Sequence, residues 1–205
     1  MNDVEYLSFL QQQYLKHCKD KLVLEIGPSF GHHTELIVRE NPKQIDVIEG
    51  DHRQIPYLQK FSGVSTSPEY SDLIDNIIQD DAQLYLLENK KQYDVVICFG
   101  VLYHLHDPLS MLEVIINQCN PTHVILDCVV GPEDLEFIPE VNWHPGNRQP
   151  RSNWKSAGFN LVAPFDIVNE SMHNMQYKLI KNDYIMVSDR ISKSNTWIGL
   201  WEINQ

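Results

Sequence analysis

The sequence predicts an α/β protein built on an open, doubly wound, mostly parallel sheet with helices on both faces. Three observations predict it. Four runs, residues 21–26, 44–49, 93–99 and 123–130, are nearly continuous in Val, Ile and Leu, as strands covered on both faces are. Helical stretches at 34–40, 54–61, 81–89 and 108–119 alternate with them, the pattern of right-handed βαβ units. Asn41-Pro42 and Asn120-Pro121 stop two of these helices, each just before the next strand-type run.

Taken in order, residues 4–17 form a leading amphipathic helix, with Val4, Leu7, Leu10, Tyr14 and Leu15 near helical spacing. A short strand at 76–79 follows a turn-rich segment at 65–72. The helix after Asp107 has the clearest start: Asp107 suits the N-cap, Pro108 the first helical position, and Leu109, Leu112, Ile115 and Ile116 line one face. Beyond it, a short helix at 152–157 ends at Gly158, and the runs 160–168, 175–180, 184–188 and 196–203 read as antiparallel additions. The whole chain, 1–205, is expected to be one domain, with an N-terminal helix within 1–19 and antiparallel strands within 166–205.

Composition narrows the classes. With 42% hydrophobic and 10% aromatic residues, the chain can fill a core and is not disordered as a whole. Sixteen Lys plus Arg against twenty-eight Asp plus Glu leave a net charge of −12, which argues against a free-standing nucleic-acid binder. Cys18, Cys98, Cys119 and Cys128 show no C-x-x-C spacing, and no apolar run approaches the length of a membrane span, so reduced thiols, a cytoplasmic location and no membrane contact are expected. No metal is expected: His32-His33 and His104-x-His106-Asp107 contain ligand types, but no Cys or paired-carboxylate set completes a tetrahedral site.

In an open α/β sheet, ligands bind beyond the carboxyl ends of the strands. The first strand-type run ends in Glu25-Ile26-Gly27-Pro28-Ser29-Phe30-Gly31, where Gly27 and Gly31 allow a sharp turn and a close backbone approach ahead of a helix N-terminus. Glu49 ends the second run, about 22 residues past Gly27, a spacing that suits an acceptor for ribose hydroxyls; alone, it reads equally as a solvated carboxylate. Asp80-Asp81-Ala82 follows the short strand, with Asp81 either receiving an exocyclic amine or capping the next helix.

The segments VLEIGPSFG, IDVIEG, QDDA and YDVVICFGVLYHLHDP, in that order, resemble the successive motifs of class I S-adenosylmethionine-dependent methyltransferases. The GVLYH form, with Asn142-Trp143-His144-Pro145 and the stretch from Trp154 to Phe159, is similar to a subgroup that includes the tRNA wobble-uridine carboxymethyltransferases. The resemblance covers most of residues 20–165 and implies a Rossmann-like, seven-stranded, mostly parallel sheet, with S-adenosylmethionine as cofactor and S-adenosylhomocysteine as product. It implies that Glu25, Gly27, Phe30 and Gly31 surround the methionine part of the cofactor. Glu49 would take the ribose, Asp81 and Ala82 the adenine, and Gly100 the amino group. Ser29 stands where that family often has glycine.

Transfer of an activated methyl group needs a positioned acceptor and, for a protonated acceptor, a base. His104 is the candidate base and Tyr103 its catalytic companion or a pocket wall; a packing role competes for both. His106, Trp143 and Arg148 are candidate acceptor contacts, with surface decoration the competing reading for Arg148. A small-molecule acceptor is expected, nucleic acid is not, and a homo-oligomer is allowed. The alternatives are a cofactor-binding scaffold or complex subunit without turnover, and a tRNA-modifying transferase. A nicotinamide-dependent oxidoreductase lacks its G-x-G-x-x-G, since three residues separate Gly27 from Gly31.

Overall fold

In a computed structural model, residues 3–59, 74–105, 107–130, 165–188 and 193–204 are described. Five strands run parallel: β1 (Leu22–Ile26), β2 (Gln44–Ile48), β3 (Asn76–Ile78), β4 (Val95–Cys98) and β5 (His123–Val130). Two long antiparallel strands, β6 (Tyr177–Ser188) and β7 (Lys193–Ile203), complete a seven-stranded sheet in the order β3-β2-β1-β4-β5-β7-β6. The helices are α1 (Asp3–Gln13), α2 (His32–Arg39), α3 (Ile55–Leu58), α4 (Ala82–Glu88), α5 (Pro108–Cys119) and α6 (Phe165–Asn174).

Strand side chains alternate between two cores, which is why the apolar runs are nearly continuous. Val23, Ile45, Val47, Val95, Ile97 and Ile125 pack with α1, α2 and α3 on one face. Leu24, Ile48, Val96, Cys98, Val124 and Leu126 pack with α4, α5 and α6 on the other. The strand order reverses between β1 and β4, so a crevice opens at their carboxyl ends. The start of α5 is as expected: Asp107 accepts from the Ser110 N–H at 3.0 Å and Pro108 is its first residue. All four cysteines are buried thiols outside any disulfide. Among the described residues, no helix is long and apolar enough to cross a membrane.

The tail corrects the expectation in one place. Residues 165–168, expected as part of a strand, open α6, where Phe165, Val168 and Met172 recur at helical spacing and are all buried. The strand expectation came from reading 160–168 alone; the helical face shows only when the window extends to Met172. The expected short helix at 152–157 lies outside the described residues. The runs 175–180 and 184–188 merge into the single strand β6 from Tyr177 on, after a turn at 175–176, with a register irregularity between Leu179 and Lys181.

The tail is held by aromatic packing. Phe165 approaches the Trp197 ring at 5.5 Å and the Trp201 ring at 5.8 Å, and Trp201 Nε1 donates to Asn169 Oδ1 at 3.0 Å. The Trp201 indole lies over Gly199: a Cβ at 199 would stand 2.1 Å from its Cη2. Because the indole is fully buried and hydrogen-bonded, it has no room to withdraw. Gly199→Ala is therefore expected to lower stability by about 1–3 kcal/mol, read as a reduced midpoint in urea denaturation.

Candidate active site

The strand ends converge on one cavity of about 300 Å³, the lower end of the range for small-molecule sites. Gly27, Phe30, Glu49, Asp81, Ala82 and Gly100 line it, joined by Tyr103 and His104. Glu25 and Gly31 do not. Glu25 points from β1 toward α2 and accepts the Thr34 hydroxyl at 2.6 Å, and Gly31 is the N-cap of α2 at φ +81°. His106, Trp143 and Arg148 lie outside the described residues.

The floor is built by two turns in close contact. Gly27 has φ +70°, donates its N–H to Ile48 O at 2.9 Å, and stands where a Cβ would lie 2.3 Å from Val101 Cγ2. Ser29, in place of the family's glycine, adopts φ +53°, so the loop keeps a left-handed conformation despite the side chain. Its N–H donates to Glu49 Oε2 at 2.9 Å, while Glu49 Oε1 accepts the Asp51 N–H at 2.7 Å. Glu49 is thus a buried carboxylate held by backbone donors. Burial raises its pKa and those hydrogen bonds pull it back down.

At the end of β3, Asp81 caps α4 by accepting the Leu84 N–H at 3.0 Å, as one of its sequence readings has it, and it also lines the cavity. Phe30 meets Tyr57 edge-to-face at 5.0 Å at the rim. Tyr103 and His104 lie in a single 3-10 turn after β4, their rings 4.2 Å apart. Four carboxylates, Glu49, Asp51, Asp80 and Asp81, line the cavity; Asp51 is ion-paired with Arg53 at 2.6 Å, and the described lining residues include no Lys or Arg. Such a wall favours a cationic ligand.

Three contributors were not legible in the motifs. His33 lines the cavity edge-to-face with Phe99 at 5.1 Å, and burial pushes its pKa down to about 4, which keeps the imidazole neutral. Gln54, on the same wall, has a buried side-chain oxygen with no hydrogen-bond partner, an acceptor left over for a ligand donor. Asp127 is buried within β5 and accepts the Gly100 N–H at 2.5 Å. Its signal was a lone carboxylate in an otherwise apolar run, a pattern rare in a core without a partner.

The lining is compatible with an adenosine-bearing amino acid: Glu49 is a buried hydrogen-bond acceptor at the end of β2, the glycine turns leave room for close approach, and the acidic groups complement a positive charge. The strand order and this site are those of class I S-adenosylmethionine-dependent methyltransferases, whose methyl donor gives the class its name. The chain belongs to the methyltransferase-domain family, whose model matches residues 3–185.

Among curated proteins, it is 28% identical to the tRNA U34 carboxymethyltransferase of Nautilia profundicola over 67% of this chain and 45% of that one. It is 27% identical to the enzyme of the same name from Campylobacter fetus, over 85% of this chain and 64% of that one. The chain therefore spans about half to two-thirds of their length. The solved N-methyltransferase NodS of Bradyrhizobium japonicum, in complex with S-adenosyl-L-homocysteine, shares the fold with a TM-score of 0.65 at 13% identity, covering 99% of this chain and 88% of that one. These relatives correct the expectation of a small-molecule acceptor with nucleic acid excluded, because the curated ones are named as tRNA-modifying enzymes. The physical error was to read a whole-chain charge of −12 as a statement about every patch of surface.

Burial pushes the Glu25 pKa up to about 8, the Thr34 hydrogen bond opposing it and the Glu49 charge adding to it. In the unfolded chain a glutamate releases its proton near about 4.3. Between those values the folded state holds the extra proton, so the contribution of Glu25 to stability is full at low pH and declines as pH rises toward about 8. Glu25→Gln keeps an acceptor for Thr34 but does not titrate. Its melting temperature relative to wild type is expected to climb steadily from acidic to mildly alkaline pH in thermal denaturation; a constant difference contradicts the assignment.

Proposed function

We propose that this chain is an S-adenosylmethionine-dependent methyltransferase whose acceptor is a tRNA nucleobase. The convergence of Gly27, Glu49, Asp81 and Gly100 on one cavity is the observation that supports the donor half. The acceptor half rests on the relatives that carry tRNA U34 in their names. The interleaving of Trp143, His144, Arg148, Arg151, Trp154 and Lys155 in the sequence adds support, since aromatic side chains stack on bases and cations meet phosphates. On this reading residues 1–205 form one domain working in the cytoplasm, in keeping with four cysteines kept as thiols.

Bound in this cavity, the cofactor supplies a methyl group already activated by its sulfonium, so the protein has chiefly to position and desolvate. Glu49 receives the ribose hydroxyls, and Asp81 with Ala82 borders the adenine. Gly27, Phe30 and Gly100 enclose the methionine part, while Glu25 and Gly31 brace the turn from behind. Tyr103 walls the acceptor side, and His104 at the cavity's lining takes the acceptor's proton as methyl transfer proceeds. His106, Trp143 and Arg148 are the sequence's further candidates for binding the acceptor. The relatives' names specify a carboxymethyl group. A wall that carries carboxylates and no lysine or arginine among the described lining residues favours transfer of the uncharged methyl group instead.

Calorimetry with S-adenosylhomocysteine is expected to show binding to the wild type, and Glu49→Ala to weaken it by about 1–3 kcal/mol, the cost of hydrogen bonds to a charged acceptor. Incubation of the chain with unmodified tRNA and methyl-labelled S-adenosylmethionine should leave ribonuclease-sensitive label, with a mass gain of one methylene on a nucleoside. Label confined to small molecules overturns the acceptor, and a carboxymethyl gain overturns the choice of group.

A further inference from the structure

Asp127 is a buried ionisable group to which the functional reading gives no task. It is 7% exposed in β5, on the same sheet face as Ile125, and β7 sets only Ile198 opposite it. Its Oδ1 accepts the Gly100 N–H at 2.5 Å and its Oδ2 accepts the Tyr6 hydroxyl of α1 at 3.4 Å. A carboxylate in such a position is costly unless its hydrogen bonds do something an apolar residue would not. The first of these leads to the cavity lining, the second to the N-terminal helix. Gly100 lies beyond the end of β4 at φ +67°, and a Cβ on it would touch the Tyr103 hydroxyl at 3.4 Å. Removal of Asp127 would leave the Gly100 N–H without this acceptor at the point where the backbone borders the donor site.

We propose that Asp127 is a positioning residue of the donor site, fixing the turn after β4 through the Gly100 N–H, with Tyr6 of the N-terminal helix holding its carboxylate in place. It acts through Gly100 and touches no ligand itself. The proposal rests on the methyl-donor reading above. Burial pushes the Asp127 pKa up to about 7, while the hydrogen bonds from Gly100 and Tyr6 oppose the rise. The titratable groups within electrostatic reach of it are Tyr6 from α1, Tyr103 from the turn and, across the sheet, Cys98 from β4. Tyr6, Tyr103 and Cys98 are all pushed well above their ordinary values and stay protonated through neutral pH. An ionised carboxylate accepts more strongly than a neutral one, so the turn tightens as pH rises through about 7.

The test combines calorimetry of S-adenosylhomocysteine with the amide resonance of Gly100 read by NMR, on the full chain. In the wild type the Gly100 resonance is expected to titrate with a midpoint near 7, and affinity to rise across the same range. Tyr6→Phe should move that midpoint upward, because a hydrogen bond that stabilised the charged form is gone. Asp127→Ala should weaken binding about tenfold or more, whereas Asp127→Asn, which keeps an acceptor, should stay within about threefold of wild type with no pH dependence. A wild type that does not bind S-adenosylhomocysteine overturns the donor reading and this proposal together. Binding by wild type with undiminished affinity in Asp127→Ala overturns the proposal alone, as does an Asp127→Asn loss equal to that of Asp127→Ala. If Asp127→Ala does not fold, a wild-type Gly100 resonance that ignores pH around 7 overturns it.

Discussion

A side chain at position 27 would collide with Val101, 2.3 Å away, and the absence of one lets the turn after β1 press against the turn after β4. Those strands flank the point where the sheet order reverses. Closing the two turns on each other makes the floor of the cavity, and every other feature of the site is arranged around it. Glu49 reaches the first turn through Ser29, and Asp127 reaches the second through Gly100. The reversal opens the crevice; the glycine contact gives it a floor.

The acidic groups of the molecule divide by their partners. Asp46, on β2, is bound by Lys91 Nζ and Tyr93 Oη, each at 2.6 Å, and by Asn76 and Gln44. Burial raises its pKa but these hydrogen bonds outweigh it, so the group ends below the usual carboxylate range and is a structural charge. Glu49 and Asp127 have backbone N–H donors and no basic partner among the contacts described, and both are pushed upward. Backbone donors thus offset only part of the cost of burying these two carboxylates, whereas the cationic and hydroxyl partners of Asp46 offset all of it.

Much of the site was readable in order along the chain. Gly27, Glu49, Asp81 and Gly100 each follow a strand, and a parallel sheet delivers all its carboxyl ends to one edge, so order alone brought them together. Glu25 was readable as a motif residue but not as a brace, since only the pleat decides that it faces α2 and Thr34. Asp127 and Tyr6 are 121 residues apart and share no pattern, so their meeting was invisible until the N-terminal helix was docked on the sheet. The helix α6 was missed because its face shows only once Met172 is seen to share a core with Trp197 and Trp201.

From its own text the chain determined the alternation of strand and helix, the turns that need glycine and the acidic residue closing β2, because these are local demands on backbone shape and on spacing between neighbours. Tertiary structure alone decided which buried carboxylates would be satisfied by which donors, and that Val101 would fill the place of a side chain at 27. Those outcomes depend on distances between segments remote in sequence, and such distances exist only after the two cores have packed.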